Sequence, residues 1–221
     1  MKRILTWLLS ISLAFTASKG WAQTDSIASY PLLNGLSVSV NLFPPVLNLF
    51  GKNYGNLEAM ATLDLHHRFL PQVAAGIGYC DHTNDDGIHY KTTSSPFFKL
   101  GMVYHWAFKD PKNAHDFYGA FLRYGFSHNE ADISGLTYTD GYWPEYGPGS
   151  IHGLKSNSHW LELGGMIKVQ IVNHISMGWD LSFKPFLHKG KQDCGNPYFV
   201  SGYGSTSSKL GFAFHLYYDL W

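Results

Sequence analysis

Leu210-Gly-Phe-Ala-Phe-His-Leu-Tyr-Tyr-Asp-Leu-Trp221 is the stretch that decides the fold. Leu210, Phe212, Phe214, Leu216, Tyr218 and Leu220 are apolar, and Gly211, Ala213, His215, Tyr217 and Asp219 lie between them. Successive side chains on a strand point to opposite faces, so this segment has one greasy face and one mixed face. A strand of that length and pattern has the reach to cross lipid as one stave of a barrel.

Seven further segments alternate in the same way: Leu36–Leu42, Leu57–Phe69, Val73–Tyr79, Phe98–Trp106, Tyr118–Phe126, Leu161–Ile171 and Ile175–Phe183. Short connections (Leu70-Pro-Gln72, Lys109–Asp116, Val172-Asn-His174) take turns with long ones at 43–55, 81–95, 129–158 and 186–206. The long ones are rich in Gly, Asn, Asp, Ser and Pro and read as irregular loops. Strict alternation of short and long is what an up-and-down barrel produces, with turns on one rim and loops on the other. The expected fold class is therefore all-β, an eight-stranded antiparallel up-and-down transmembrane β-barrel.

The charges fix the facing of each strand. Glu58, Asp64, Arg68, Lys99, Arg123, Glu162, Lys168, Asp180, Lys184, Lys209 and Asp219 all fall on the non-apolar face. A charge facing mid-bilayer lipid costs about 2–4 kcal/mol, so that face is the interior. The interior of eight strands is just wide enough to be filled by side chains, and buried charges there must pair. Glu58, Asp64, Lys99, Arg123, Glu162, Lys168, Asp180 and Lys184 are the expected interior ion network. With Ile171 opposite Ile175, the register brings Glu162 opposite Lys184 and sets Lys168 diagonal to Asp180. Ala74, Gly76, Gly78 and Cys80 face in from the third strand and leave room for Phe97, Phe121, Trp160 and Tyr217.

Composition bounds the rest. The 221 residues suit one domain, with 14% charged and 16% aromatic residues and zero net charge. That balance excludes nucleic acid as a partner. Met1-Lys-Arg followed by an apolar run and Gly20-Trp21-Ala22 reads as a secretory signal peptide. The expected organisation is a signal peptide at 1–22, a periplasmic segment at 23–34 and an outer-membrane barrel at 35–221. The expected partners are outer-membrane lipid and an outer-membrane protein.

Several blocks carry a family resemblance: Gly35-Leu-Ser-Val-Ser-Val-Asn41, Phe98-Lys-Leu-Gly-Met-Val-Tyr104, Leu122-Arg-Tyr-Gly-Phe-Ser127, His159-Trp-Leu-Glu-Leu-Gly-Gly-Met-Ile-Lys-Val169, Met177-Gly-Trp-Asp-Leu181 and Pro197-Tyr-Phe-Val-Ser-Gly-Tyr-Gly204. Nearly the whole mature chain resembles a family of uncharacterised barrel proteins from Gram-negative Bacteroidota, domain of unknown function 6048. The resemblance implies an outer-membrane barrel and no particular activity. It also implies Asp and Arg in the first-strand block, where this chain has Asn41 and Ser37.

Candidate chemistry is sparse. The 12 histidines show no zinc-type spacing, and His66-His67 are expected on opposite faces of one strand, so no metal or cofactor is expected. His82, His89, His128, His152 and His188 lie in or beside the long loops. Ser127-His128 and Ser158-His159 stand where a small lipid-modifying outer-membrane enzyme would hold a nucleophile and base. Strand neighbours point apart, however, so no catalytic residue is assigned. Cys80 and Cys194 permit a disulfide. Tyr138, Tyr142, Trp143 and Tyr146 make the 129–158 segment a candidate binding surface. The expected function is non-enzymatic, structural or binding through surface loops, with the lipid-modifying enzyme as the alternative.

Overall fold

The computed structural model describes residues 30–49, 53–106, 116–140, 143–190 and 196–220, with backbone alone at 47–49, 137–140 and 143–148. Strand β1 (Leu33–Asn41) leads into a short helix, α1 (Phe43–Leu49). Strands β2 (Tyr54–Leu65), β3 (Phe69–Thr83), β4 (His89–His105), β5 (Phe117–Asp140), β6 (Trp143–Val172) and β7 (Ile175–Phe183) then follow in meander order. Three small pieces, β8 (Phe186–His188), β9 (Phe199–Val200) and β10 (Gly204–Ser205), precede the last long strand, β11 (Leu210–Asp219).

Each long strand pairs antiparallel with its neighbour, and β7 pairs with β11. The ring closes where β11 returns to β1, from Ser37 opposite Asp219 to Asn41 opposite His215. The result is a closed eight-stranded antiparallel barrel. Alternation decides the facing throughout. On β4, Phe98, Leu100, Met102 and Tyr104 are exposed on the outer wall, whereas Phe97, Lys99, Val103 and His105 are buried within. Closure pairs the strands around the ring except where β2 and β11 run on past the end of β1, and a paired backbone is what permits an apolar exterior.

The interior is packed by setting aromatic rings on glycines. A Cβ on Gly76 would lie 2.5 Å from the Phe97 ring, one on Gly125 2.2 Å from Trp160, one on Gly164 2.7 Å from Phe121 and one on Gly178 2.8 Å from Tyr217. These four rings are the ones expected to fill the lumen. Only Phe97 uses the small face of β3; the other three rest on glycines of β5, β6 and β7.

Three boundaries differ from expectation. The first turn is His66-His67-Arg68, not Leu70-Pro-Gln72, because Leu65 pairs with Phe69 and Leu70 already lies in β3. His66 and His67 take positive φ values of 55° and 57°, a conformation usually left to Asn and Gly, so no sequence signal marks the turn. They therefore do not occupy opposite faces of a strand. Arg68 sits exposed in the turn and donates to the Tyr104 hydroxyl at 2.9 Å, so it is not an interior charge. Lys209 is likewise exposed, one residue before β11.

The segments 81–95 and 129–158 are ladders, not irregular loops. β3 and β4 pair out to Thr83 opposite His89, and β5 and β6 pair out to Asp140 opposite Trp143. From Phe126, where the apolar outer face of β5 ends, the strand runs on for about 45 Å of extended chain. This β5–β6 arm rises from the loop rim. Its strands carry charges and turn formers because they leave the apolar belt, which is why they look like loop in sequence.

Candidate functional site

Five charged side chains cross the lumen as one chain of contacts. Lys99 Nζ lies 2.8 Å from Glu58 and 3.1 Å from Glu162. Arg123 lies 3.9 Å from Glu162 and 2.7 Å from Asp180. His215 Nε2 adds a contact to Asp180 at 3.6 Å. Arg123 Nε donates to Gln72 at 2.8 Å, its guanidinium covers the Phe121 ring at 4.0 Å, and Trp160 donates to Glu162 at 3.0 Å. All five are buried. The contacts tie β2, β4, β5, β6 and β7 together across the barrel.

The remaining members of the expected network sit elsewhere. Lys168 pairs with Asp219 at 2.5 Å, and Ser176 donates to the other Asp219 oxygen at 2.6 Å. Asp64 is held by Asn34 at 2.7 Å and His67 at 3.1 Å. The expected Glu162–Lys184 pair is absent among the described residues. The register itself is as expected over most of the ladder, with Val169 opposite Met177 and Leu163 opposite Phe183. At the turn Val172, not Ile171, faces Ile175, and a bulge restores the register. The same register continues past Leu163, with the Leu161 amide donating to the Pro185 carbonyl at 3.0 Å and Trp160 opposite Phe186, so the backbone does set Glu162 opposite Lys184. The Glu162 carboxylate goes to Lys99 at 3.1 Å and to Arg123 at 3.9 Å. Lys184 donates instead to the Tyr203 carbonyl, and its ammonium stands 4.7 Å from that ring.

Tyr203 belongs to a plug. The β9–β10 hairpin folds into the loop rim and buries Phe199, Val200, Ser201 and Tyr203. Asn56 accepts from the Gly202 amide at 2.9 Å, Asn129 accepts from Ser201 at 3.1 Å, and the Tyr203 hydroxyl donates to the Lys184 carbonyl at 2.9 Å. Asn56, Asn129 and Tyr203 were missed in sequence. Asn56 has inward parity on β2, and Asn129 has it on β5 once that strand is known to continue past Ser127; Tyr203 lies between β9 and β10, where parity gives no signal.

The lumen is not filled throughout, which corrects the expectation of a solid interior. The middle layer is solid, but a cavity of about 330 Å³ opens at the turn rim between Asp64, Lys168 and Asp219. Another of about 250 Å³ lies under the plug. The second reaches from Glu58, Lys99, Arg123, Asp180 and His215 to Phe43, Phe212 and Leu210 at the wall. The wall is thin there. β1 ends at Asn41, whereas β2 continues to Tyr54 and β11 to Leu210, so α1 bridges the gap in place of a strand.

The Ser–His neighbours do not assemble. Ser127 is buried and donates to Asn129 at 3.0 Å, while His128 faces outward and meets Asn157 at 2.6 Å. Ser158 is buried and accepts from Gly190 at 3.3 Å, while His159 contacts the Tyr124 hydroxyl on the outer wall. Among the described residues, no three His, Cys, Asp or Glu side chains are grouped to hold a metal.

The proposed contact aromatics and the second cysteine fall largely beyond description. Tyr138 pairs with Tyr146 in the arm and Trp143 with Asp140, through backbone only; Tyr142 lies outside the described residues. Cys80 is buried, with its thiol 3.9 Å from the Tyr90 carbonyl, and Cys194 lies outside the described residues.

The base of the arm carries one acidic lock. The Gly153 amide donates to Asp132 at 2.8 Å, and Gly153 holds a φ of +69° at the bend. That hydrogen bond, followed by His152, holds the Asp132 carboxyl below its ordinary value. A depressed folded value means the contact stabilises the arm above the unfolded pKa and is lost as pH falls through the folded one. The expected result is that the Gly153 amide resonance titrates below the ordinary aspartate range, and that Asp132→Asn removes the titration. A transition at or above that range would show that the contact does not favour the carboxylate.

No curated protein matches the chain. Among solved structures it is similar to a major outer membrane protein from Thermus thermophilus, with 17% identity over 84% of this chain and 99% of that one, at a TM-score of 0.46. The family described as a domain of unknown function (DUF6048) matches residues 1–220, and the chain belongs to that family.

Proposed function

We infer that this protein is a non-enzymatic outer-membrane barrel that works through its loop rim, as a binding protein or as a subunit of a larger outer-membrane assembly. One observation carries the membrane reading. The outer wall presents exposed large apolar residues on every strand of the ring, including Val38, Leu57, Val73, Leu100, Leu122, Ile167, Trp179 and Phe212. A water-soluble protein rarely leaves so continuous an apolar surface bare, and lipid is the solvent it suits. The signal peptide read at 1–22 fits export. The turn rim then faces the periplasm, and the plug and arm face outward.

The arm supports the binding reading. It projects past the belt, it is not needed to close the ring, and its tip carries Tyr138, Tyr142, Trp143 and Tyr146 in the sequence. The outward histidines and inward serines give no comparable support to a lipid-modifying enzyme.

The protein should fractionate with the outer membrane and migrate differently on gels before and after heating, because a closed barrel keeps its backbone paired in mild detergent. Replacing residues 135–149 with a short turn should leave that heat-dependent shift intact and abolish co-purification of any partner. Recovery in the soluble periplasm would sink the membrane reading. A partner retained by the shortened arm would sink the binding reading.

A further inference from the structure

We propose that the cavity under the plug binds the anionic head group of an amphiphile, which enters sideways from the surrounding lipid through the gap that α1 covers. The proposal rests on the membrane reading above and adds a site to it. Three observations converge. The cavity has two chemistries: its inner end is charged, with Glu58, Glu162 and Asp180 held by Lys99 and Arg123 beside Lys184 and His215, and its outer end is apolar, at Phe43 and Phe212. The outer end coincides with a place where, among the described residues, the ring lacks a strand, because β1 stops at Asn41 while β2 and β11 run on. Phe43 and Phe212 meet edge to face at 4.8 Å across that gap, so its only covering there among the described residues is a pair of side chains and a short helix.

The third observation is the state of Lys184. Lys99 and Arg123 each contact two carboxylates, yet Lys184 has no carboxylate within salt-bridge distance among the described residues. Its ammonium is spent on a neutral carbonyl and the Tyr203 ring. A phosphate or carboxylate would add a direct attraction between opposite charges that a neutral carbonyl does not supply. A volume of about 250 Å³ is too small for a whole lipid and suits a head group alone. The tails would stay outside, along Leu210, Phe212 and Leu57, which are exposed on the wall beside the gap. The ligand class is therefore a single-headed anionic amphiphile, either a membrane lipid or a free fatty-acid-like molecule.

Titration of the purified full-length protein in dodecyl maltoside tests this, with dodecyl phosphate, dodecanoate, short-chain phosphatidic acid and inorganic phosphate as probes. Binding is read by native mass spectrometry and by the quenching of tryptophan fluorescence. All three amphiphiles should bind. Preference for phosphatidic acid over dodecanoate assigns a lipid source, and the reverse assigns a free acid. Lys184→Gln should weaken binding about tenfold or more, the value of one charge-assisted hydrogen bond. Phe212→Ala lies on the outer wall, away from the ion network, and should alter affinity for the amphiphiles while leaving the heat-dependent gel shift unchanged. Inorganic phosphate binding as tightly as dodecyl phosphate would overturn the sideways amphiphile site. So would unchanged dodecyl phosphate affinity in both variants. The assay is run in detergent, so a negative result here is separate from a failure of the fractionation test.

Discussion

Arg123→Met should destabilise the barrel by about 3–5 kcal/mol, the cost of removing one partner from a buried ion network. Arg123 touches Asp180 at 2.7 Å and Glu162 at 3.9 Å and accounts for the Gln72 carbonyl, so its loss strands groups on three other strands. Those groups are 4% exposed or less, so bulk water does not replace the lost partner. Glu162→Gln should cost less, because Lys99 keeps Glu58 as a partner. The two changes share a contact and should combine non-additively, whereas Lys168→Met, in the separate pair with Asp219, should add to either. Urea unfolding in detergent, read on heat-modifiable gels, measures all of these variants. Additive behaviour of Arg123→Met with Glu162→Gln would mean that the two side chains do not interact.

Gly164→Ala should prevent proper closure. The added Cβ would lie 2.1 Å from the Leu181 carbonyl oxygen and 2.7 Å from the Phe121 ring. The first neighbour is backbone and cannot swing aside, so β6 and β7 must separate or the ring must leave its seat. Overpacking of this kind typically costs about 1–3 kcal/mol, and the upper end is expected where backbone is struck. Gly165→Ala is the control. Gly165 faces outward, and its nearest neighbour would be 3.8 Å away. The first variant should lose the heat-dependent gel shift or unfold at clearly lower urea, and the second should behave as wild type. Equal behaviour would show that Phe121 does not pack on this glycine.

The strand count, the facing of each strand and the closed ring were legible in the sequence. Alternation is a local property, and lipid outside against polar groups inside writes it directly into residues such as Leu210–Leu220. The charges followed from the same rule: Glu58, Lys99, Arg123, Glu162 and Asp180 had to face in. Their partners could not be read. In a closed ring, inward side chains meet across the lumen as well as along a ladder, so Lys99 reaches Glu162 two strands away, and the plug captures Lys184. The His66-His67 turn carries none of the Gly, Pro, Asn or Asp residues that mark a turn in sequence, and its φ values of 55° and 57° show only in the structure. The arm escaped because strands in water lose the apolar alternation that lipid imposes. The plug, the cavity beneath it and the gap beside β1 depend on where strands end relative to one another. That is a property of the assembled ring, which no local stretch of sequence carries.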